Sequence, residues 1–261
     1  DSSIVVICGP TATGKTDLGV ALAQGLGGEI VNADSRQVYR FMDIGTAKPT
    51  AAQRASAPHH LLDVVDPDEP FTLADYLERA REAVAVVQAR GRLPIVVGGT
   101  GLYVRALVHG FDVPRVPPNP GLRTELEALA AGEGLPALLS RLQRSDPRAA
   151  LTVDARNPRR LIRAIEVAEA GGSAIPVLAK SAGEPYDALV LGLTAERAVL
   201  HARADRRVDA MMAAGFLCEV ESLLARGYDP ELPALSSLGY GELIDHLRGR
   251  RSLDAAVQAT R

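Results

Sequence analysis

The chain has 261 residues, of which 47% are hydrophobic, 23% charged and 4% aromatic, and its net charge is −3. This balance supports a real core, excludes a disordered or fibrous chain, and shows none of the overall basicity that advertises nucleic-acid binding. The longest apolar runs, at residues 4–8 and 93–97, are far short of a membrane span.

No leader-like segment opens the chain, and the initiator Met is missing, as at a trimmed terminus. Cys8 and Cys218 have neither the number for a disulfide framework nor metal-ligand spacing, so a reducing cytoplasm is the expected compartment. In chain order, strands are expected at 4–8, 29–32 and 94–98, separated by helix-period stretches at 16–26 and 73–90. Such alternation implies βαβ units and a parallel sheet covered on both faces. Between 113 and 184 the pattern changes. Pro114, Pro117, Pro118 and Pro120 break regular structure, and helices follow at 122–131, 135–142 and 158–170 with no strand expected. A run at 188–193 should rejoin the sheet, before a long helix at 196–214. The domains expected are a core from 1–112 and 185–261 and a helical insert from 113–184.

Residues 9–16, GPTATGKT, fit G-x-x-x-x-G-K-[ST] between an expected strand and an expected helix. The fold class is therefore α/β: a P-loop NTPase-like parallel sheet core flanked by helices, with an inserted all-helical subdomain. Backbone N–H groups across Gly9, Thr11, Ala12, Thr13 and Gly14 can converge on an anionic phosphate at the helix N-terminus. Lys15 adds a mobile cation, and the Thr16 hydroxyl can ligate Mg²⁺ on the phosphates. Asp34 follows the second strand, so it should sit at the mouth of this cradle, with Ser35, Arg36 and Gln37 along the rim. Local sequence leaves Asp34 equally suited to a cap, a metal role or catalysis. The third strand ends in Gly98-Gly99-Thr100-Gly101, where glycines allow close backbone approach and Thr100 offers a hydroxyl.

Together these residues resemble the tRNA isopentenyltransferase family, the bacterial tRNA dimethylallyltransferases. The matching blocks are GPTATGKT at 9–16, DSRQVY at 34–39, MDIGTAKP at 42–49, PHHLLD at 58–63 and GGTGLY at 98–103. RRLIRAIEV at 159–167 and SLGYGE at 237–242 extend the match in family order. The resemblance implies transfer of a dimethylallyl group from dimethylallyl diphosphate to the exocyclic amine of the adenosine adjacent to the anticodon in tRNA. The cradle then grips a diphosphate leaving group with Mg²⁺, and a monomer is expected. By the same resemblance Asp34 receives the amine proton and holds the flipped adenine, and Thr100 lies near the bridging oxygen. Lys15, Thr16 and one arginine of Arg203, Arg206 and Arg207 clamp the diphosphate, with Arg207 the best match. Implied tRNA contacts are Asp34, Ser35, Arg36, Gln37 and Thr100, the arginines Arg159, Arg160 and Arg163, and Gly239 with Tyr240.

Residues 141–163 carry seven arginines against Asp146 and Asp154, a net of +5 where phosphate contacts are expected. Arg123 can join them, and Arg163 can instead pair with Glu166. The family continues beyond this chain's last residue with a basic, Trp-containing segment. The chain contains no Trp, which puts full tRNA affinity in doubt and makes His246, Arg248, Arg250 and Arg251 candidate replacements. His59 and His60 lack further ligands at metal spacing and are read as structural. Cys8, Met211 and Met212 are read as packing, and Tyr39 and Tyr103 as channel or core. The competing reading is a P-loop small-molecule or nucleotide kinase, which would bind ATP and use Asp34 to activate a hydroxyl. A non-catalytic RNA-binding module would need a damaged cradle, and Gly14, Lys15 and Thr16 are intact.

Overall fold

A computed structural model describes residues 2–172, the backbone of 177–178, and residues 185–261. The chain divides into two units, Asp1–Val108 with Glu184–Arg261, and His109–Gly183. In the first unit β1 (Ser3–Cys8) leads to α1 (Lys15–Leu26), β2 (Glu29–Asn32), α2 (Ala51–Ser56) and β3 (His59–His60). Next come α3 (Leu73–Ala89), β4 (Pro94–Gly98) and α4 (Gly101–Val108). The second unit holds β5 (Phe111–Asp112), α5 (Pro120–Glu133), α6 (Leu135–Ser145), α7 (Pro147–Thr152), α8 (Pro158–Glu169) and β6 (Val177–Leu178). The first unit resumes with β7 (Asp187–Gly192), α9 (Arg197–Ala213), α10 (Phe216–Ala225), α11 (Tyr240–Leu247) and α12 (Leu253–Thr260).

The strands of the first unit are parallel in the order β3-β2-β4-β1-β7. β1 and β4 read as nearly unbroken aliphatic runs because both of their faces are covered, and Ile4 to Ile7 and all of β4 are buried. The expected alternation of strands and helices is what the sheet displays, including the late return of β7. Helix α1 begins after Gly14 at φ 86° and ends at Gly27 at φ 63°. A Cβ on Gly19 would lie 2.8 Å from Val97, so α1 rests directly on the sheet. Thr72 and Asp75 cap α3 reciprocally. Its buried residues Tyr76, Leu77, Ala80, Ala83, Val84 and Val87 recur at helical spacing.

Two expectations about the middle segment need correction. It is not strand-free: β6 falls within 113–184 and pairs antiparallel with β5, just before that range, two residues each and too short to leave a periodic trace in sequence. The first unit ends at Val108 rather than 112, while the second boundary expected, at 184, lies outside the described residues. His59 and His60 form edge strand β3, and His60 Nε2 lies 2.6 Å from the buried Glu29 carboxylate, as a structural reading requires.

The second unit has its own core, with Leu126, Leu138, Leu142, Leu161 and Ile165 fully buried. Glu166 joins its helices: the side chain is 1% exposed and accepts from Arg123 Nε at 2.7 Å and Arg123 Nη2 at 2.9 Å. The Asn119 N–H, at 2.9 Å, and Arg163 Nη1, at 3.3 Å, complete the set. Burial alone would raise this carboxyl, yet Arg123 and Asn119 hold it below the ordinary glutamate range. Its stabilising contribution is thus present above that range and fades as acid protonates it. Glu166→Gln should destabilise the protein by about 1–3 kcal/mol near neutral pH, read as a lower urea midpoint, with the deficit shrinking in acid.

Candidate active site

The carboxyl ends of β1, β2 and β4 meet at one edge of the sheet. Two glycines permit the approach. A Cβ on Gly98 would stand 2.1 Å from the Ala33 carbonyl oxygen, and one on Gly9 would stand 2.3 Å from that of Leu193. The loop from β1 to α1 places Ala12 at φ 65° and Gly14 at φ 86°, and the Thr13 hydroxyl donates to the Pro10 carbonyl at 2.9 Å. The first N–H groups of α1 have no helical acceptor and point at whatever anion the loop surrounds. Lys15 Nζ is 2.7 Å from the Pro10 carbonyl oxygen, and Arg203 Nη1 is 3.3 Å from that of Ala12.

A cavity of about 1060 Å³ opens here, lined by residues 11–17, Asp34, Arg36, Gln37, Arg203 and Arg207. Asp34 is fixed from behind: its N–H donates to Asn32 Oδ1 at 3.1 Å, and its Oδ1 accepts the Arg36 N–H at 2.9 Å. That turn satisfies one carboxylate oxygen locally. Oδ2 is left beside the space over Gly99, where a Cβ would be 3.8 Å from Oδ2 and 3.9 Å from Lys15 Nζ. Burial draws Lys15 below the ordinary lysine range; Asp34 opposes the shift and Arg207 adds to it. Burial likewise lowers Arg207, with Asp34 opposing. Arg206 is exposed and does not line the cavity, so the two cavity arginines of α9 are Arg203 and Arg207.

Several expected contacts are engaged elsewhere. The Thr100 hydroxyl accepts the Ser35 N–H at 2.9 Å and donates to Ser35 Oγ at 3.2 Å, so it braces the Asp34 turn from outside the cavity lining. Gln37 Nε2 donates to the carbonyls of Thr46 and Ala47, at 3.2 and 3.1 Å, which holds a cavity wall rather than a base. Arg36 donates from Nη1 to the Pro233 carbonyl at 3.0 Å. Gly239 is buried and Tyr240 fully so, against the expectation that they touch tRNA. Tyr240 packs edge-on against Phe216 and donates its hydroxyl to Glu219 Oε1 at 2.6 Å. Tyr39 and Tyr103 are also core residues, and Tyr103 stacks on Tyr76.

Sequence reasoning missed what shapes the 43–48 wall. Glu219 accepts the N–H groups of Asp43, Ile44 and Gly45 at 2.8, 2.7 and 3.1 Å. Lys48, with a side chain 1% exposed, donates to the Tyr39 carbonyl and to the carboxylates of Asp43 and Asp63 at 2.5–2.7 Å. The only trace in sequence is a lysine that stands as the one charged residue between 44 and 53.

In the second unit the arginine cluster divides. Arg123 and Arg163 are committed to Glu166, and Arg141 to Glu125 and Glu169, so the first two are structural rather than open phosphate contacts. Arg159 is exposed with no side-chain partner among the described residues. Arg160 is only 3.9 Å from Asp154, and Arg156 is 94% exposed. The basic group near the end of the chain is likewise neutralised, Arg248 by Glu231 and both Arg250 and Arg251 by Asp245, while His246 contacts the Arg251 carbonyl.

Among the described residues no three His, Cys, Asp or Glu side chains gather as a metal site. The Thr16 hydroxyl nevertheless lines the cavity with no partner among the described residues, and Asp34 Oδ2 lies near the same anion cradle. This sparse oxygen set fits a Mg²⁺ ion carried mainly by phosphate oxygens.

The family described as IPP transferase matches residues 37–261, and that described as isopentenyl transferase matches residues 2–65. A tRNA dimethylallyltransferase of Roseiflexus sp. (strain RS-1) is 52% identical over 254 residues, covering 97% of this chain and 83% of the relative. One from Chloroflexus aurantiacus is 49% identical over 258 residues, covering 99% and 87%. The full-length tRNA isopentenylpyrophosphate transferase of Bacillus halodurans superposes with a TM-score of 0.71 at 41% identity, covering all of this chain and 82% of that one. A eukaryotic dimethylallyltransferase crystallised acting on tRNA gives 0.82 at 27% identity, covering all of this chain and 66% of that one.

Because Lys15 must stay protonated to hold an anion, pyrophosphate affinity should fall as pH rises through its lowered pKa. In Asp34→Asn the partner that raises that pKa is gone, so the alkaline limb should move to lower pH in calorimetric titrations.

Proposed function

This chain belongs to the IPP transferase family, and from that premise we propose that it transfers a dimethylallyl group from dimethylallyl diphosphate to the exocyclic amine of the adenosine adjacent to the anticodon in tRNA. The observation that carries the reading is the Asp34 carboxylate, set beside Lys15 and Arg207 at the mouth of the anion cradle. The amine attacks the allylic carbon, a C–N bond forms as the C–O bond to diphosphate breaks, and the amine proton passes to Asp34. An adenine amine is a poor nucleophile because its lone pair is delocalised into the ring. The larger task is therefore to stabilise charge growing on the leaving diphosphate, which the loop N–H groups, Lys15, Arg203 and Arg207 are placed to do. Mg²⁺ held on the diphosphate by the Thr16 hydroxyl would add Lewis-acid stabilisation of the same charge. Thr100 acts as a positioning residue through Ser35. The target base must leave its stack to reach Asp34.

Arg156, Arg159 and Arg160 are the exposed cations of the second unit that best suit tRNA phosphates. Among the described residues no helix is long and apolar enough to cross a membrane. As an enzyme acting on tRNA, the protein is assigned to the cytoplasm. The kinase alternative loses ground because the relatives are named for prenyl transfer to tRNA and not for phosphorylation.

Incubation with labelled dimethylallyl diphosphate and an anticodon stem-loop, against labelled ATP, tests the reading: label from the allyl donor should enter RNA, and ATP should be neither bound nor cleaved. Asp34→Ala should lower turnover about 10²- to 10⁴-fold with pyrophosphate binding retained, and near-normal turnover would remove it from the base role. Charge reversal at Arg159 or Arg160 should raise KM for tRNA and flatten its salt dependence, leaving KM for the donor unchanged.

A further inference from the structure

Among the described residues five that are not glycine adopt left-handed backbone, and one of them, Ala12, belongs to the phosphate loop. The other four, Phe41, Ala47, Leu61 and Asp63, have φ between 49° and 65° and lie in two short segments, 41–47 and 61–63. Such conformations persist only where surrounding bonds hold them. Lys48 bonds to both segments. Its three ammonium protons are all taken, by the Tyr39 carbonyl at 2.5 Å, Asp43 Oδ1 at 2.7 Å and Asp63 Oδ1 at 2.5 Å. Burial pushes the Asp63 carboxyl up, but Lys48, with Arg54 at 2.9 Å from Oδ2, holds it below the ordinary aspartate range. Both segments lead back to Asp34. Tyr39 closes the turn that Asp34 begins, and the Asp63 N–H meets the Gln37 carbonyl of that turn at 3.4 Å. The Leu61 carbonyl accepts from Asn32 Nδ2 at 3.0 Å. The same buried Asn32 accepts the Asp34 N–H at 3.1 Å and donates to the Asp34 carbonyl at 3.2 Å. A buried ammonium is a poor source of stability, because apolar side chains of similar volume do as well. What it supplies is fixed geometry.

Resting on the transferase reading above and deepening it, we propose that Lys48 is a positioning residue: its ammonium clamps the 41–47 and 61–63 segments and so fixes the Asp34 carboxylate where the adenine amine must deliver its proton. All of its donors are engaged within the protein, which leaves none for substrate. A displacement of about 1 Å at a reacting group can cost on the order of 10²-fold in rate. The loss of Lys48 is therefore felt in turnover and not in the grip on diphosphate, whose contacts through the phosphate loop, Lys15 and Arg207 do not run through Lys48.

The test uses the intact chain with Mg²⁺, labelled dimethylallyl diphosphate and an anticodon stem-loop. Lys48→Met keeps an unbranched side chain and removes the charge. It should lower kcat by about 10²-fold, with KM for dimethylallyl diphosphate and the affinity for pyrophosphate unchanged. Asp43→Ala removes one of the three acceptors, on a side chain 58% exposed where the fold tolerates change, and should lower kcat by about threefold in the same pattern. Each substitution is then repeated in Asp34→Ala. Neither should slow single-turnover transfer further there, because the group they position is gone, whereas a merely structural role would cost the same factor in both backgrounds. Equal losses in both backgrounds, an unchanged kcat, or a loss confined to KM or pyrophosphate affinity overturns the proposal. Should Lys48→Met fail to fold, Asp43→Ala and its double variant decide by the same criteria. A wild-type protein that binds pyrophosphate but transfers no allyl group overturns the transferase reading itself, and the proposal with it.

Discussion

The site depends on how closely two strand ends can approach. Gly98 at the end of β4 lies against the Ala33 carbonyl at the end of β2, a contact that no side-chain-bearing residue could make. The Ala33 N–H then bonds to the Val97 carbonyl at 2.8 Å and the Thr100 N–H to that of Ala33 at 3.1 Å. These bonds place Asp34 at a distance from the phosphate loop that backbone packing dictates and side-chain rotation cannot relax. Donors and an acceptor fixed before substrate arrives need little reorganisation during reaction, which is the main source of electrostatic catalysis.

Around that point the protein uses buried charge to fix backbone. The 43–48 wall has neither strand nor helix of its own, so its N–H groups need acceptors, and Glu219 supplies them. Lys48 is buried and positively charged, and it is tolerable only because a carbonyl and two carboxylates surround it. Gln37 grips the same wall from the other side. The polar residues of the MDIGTAKP and SLGYGE blocks thus serve largely to shape the cavity. Tyr240, though a polar aromatic in a family block, is a core residue.

Positive charge in the second unit behaves in the same way. Seven arginines between 141 and 163 look like one basic surface, but acids outside that window, Glu125, Glu166 and Glu169, take up part of it. The partners are brought together by helix packing, because Glu166 on α8 reaches Arg123 on α5 and the Asn119 N–H at the start of that helix. Arg141 and Arg163 are engaged in this way, whereas Arg144, Arg148, Arg156, Arg159 and Arg160 stay exposed, so packing narrows the cationic surface without removing it.

The order of elements, the parallel sheet, the anion cradle and the rim position of Asp34 were all determined by the sequence. Each rests on local signals: aliphatic runs, helical periodicity, and a glycine-rich loop between strand and helix. Which polar groups are free and which are engaged was decided only by the tertiary structure. The Thr100 hydroxyl meets Ser35 across 65 residues, and Glu219 meets Ile44 across 175. Arg203 and Arg207 face the cavity while Arg206 is turned to solvent. A hydrogen-bonding side chain has the same local signature whether its partner is water, a distant backbone or a substrate, and packing alone distinguishes them.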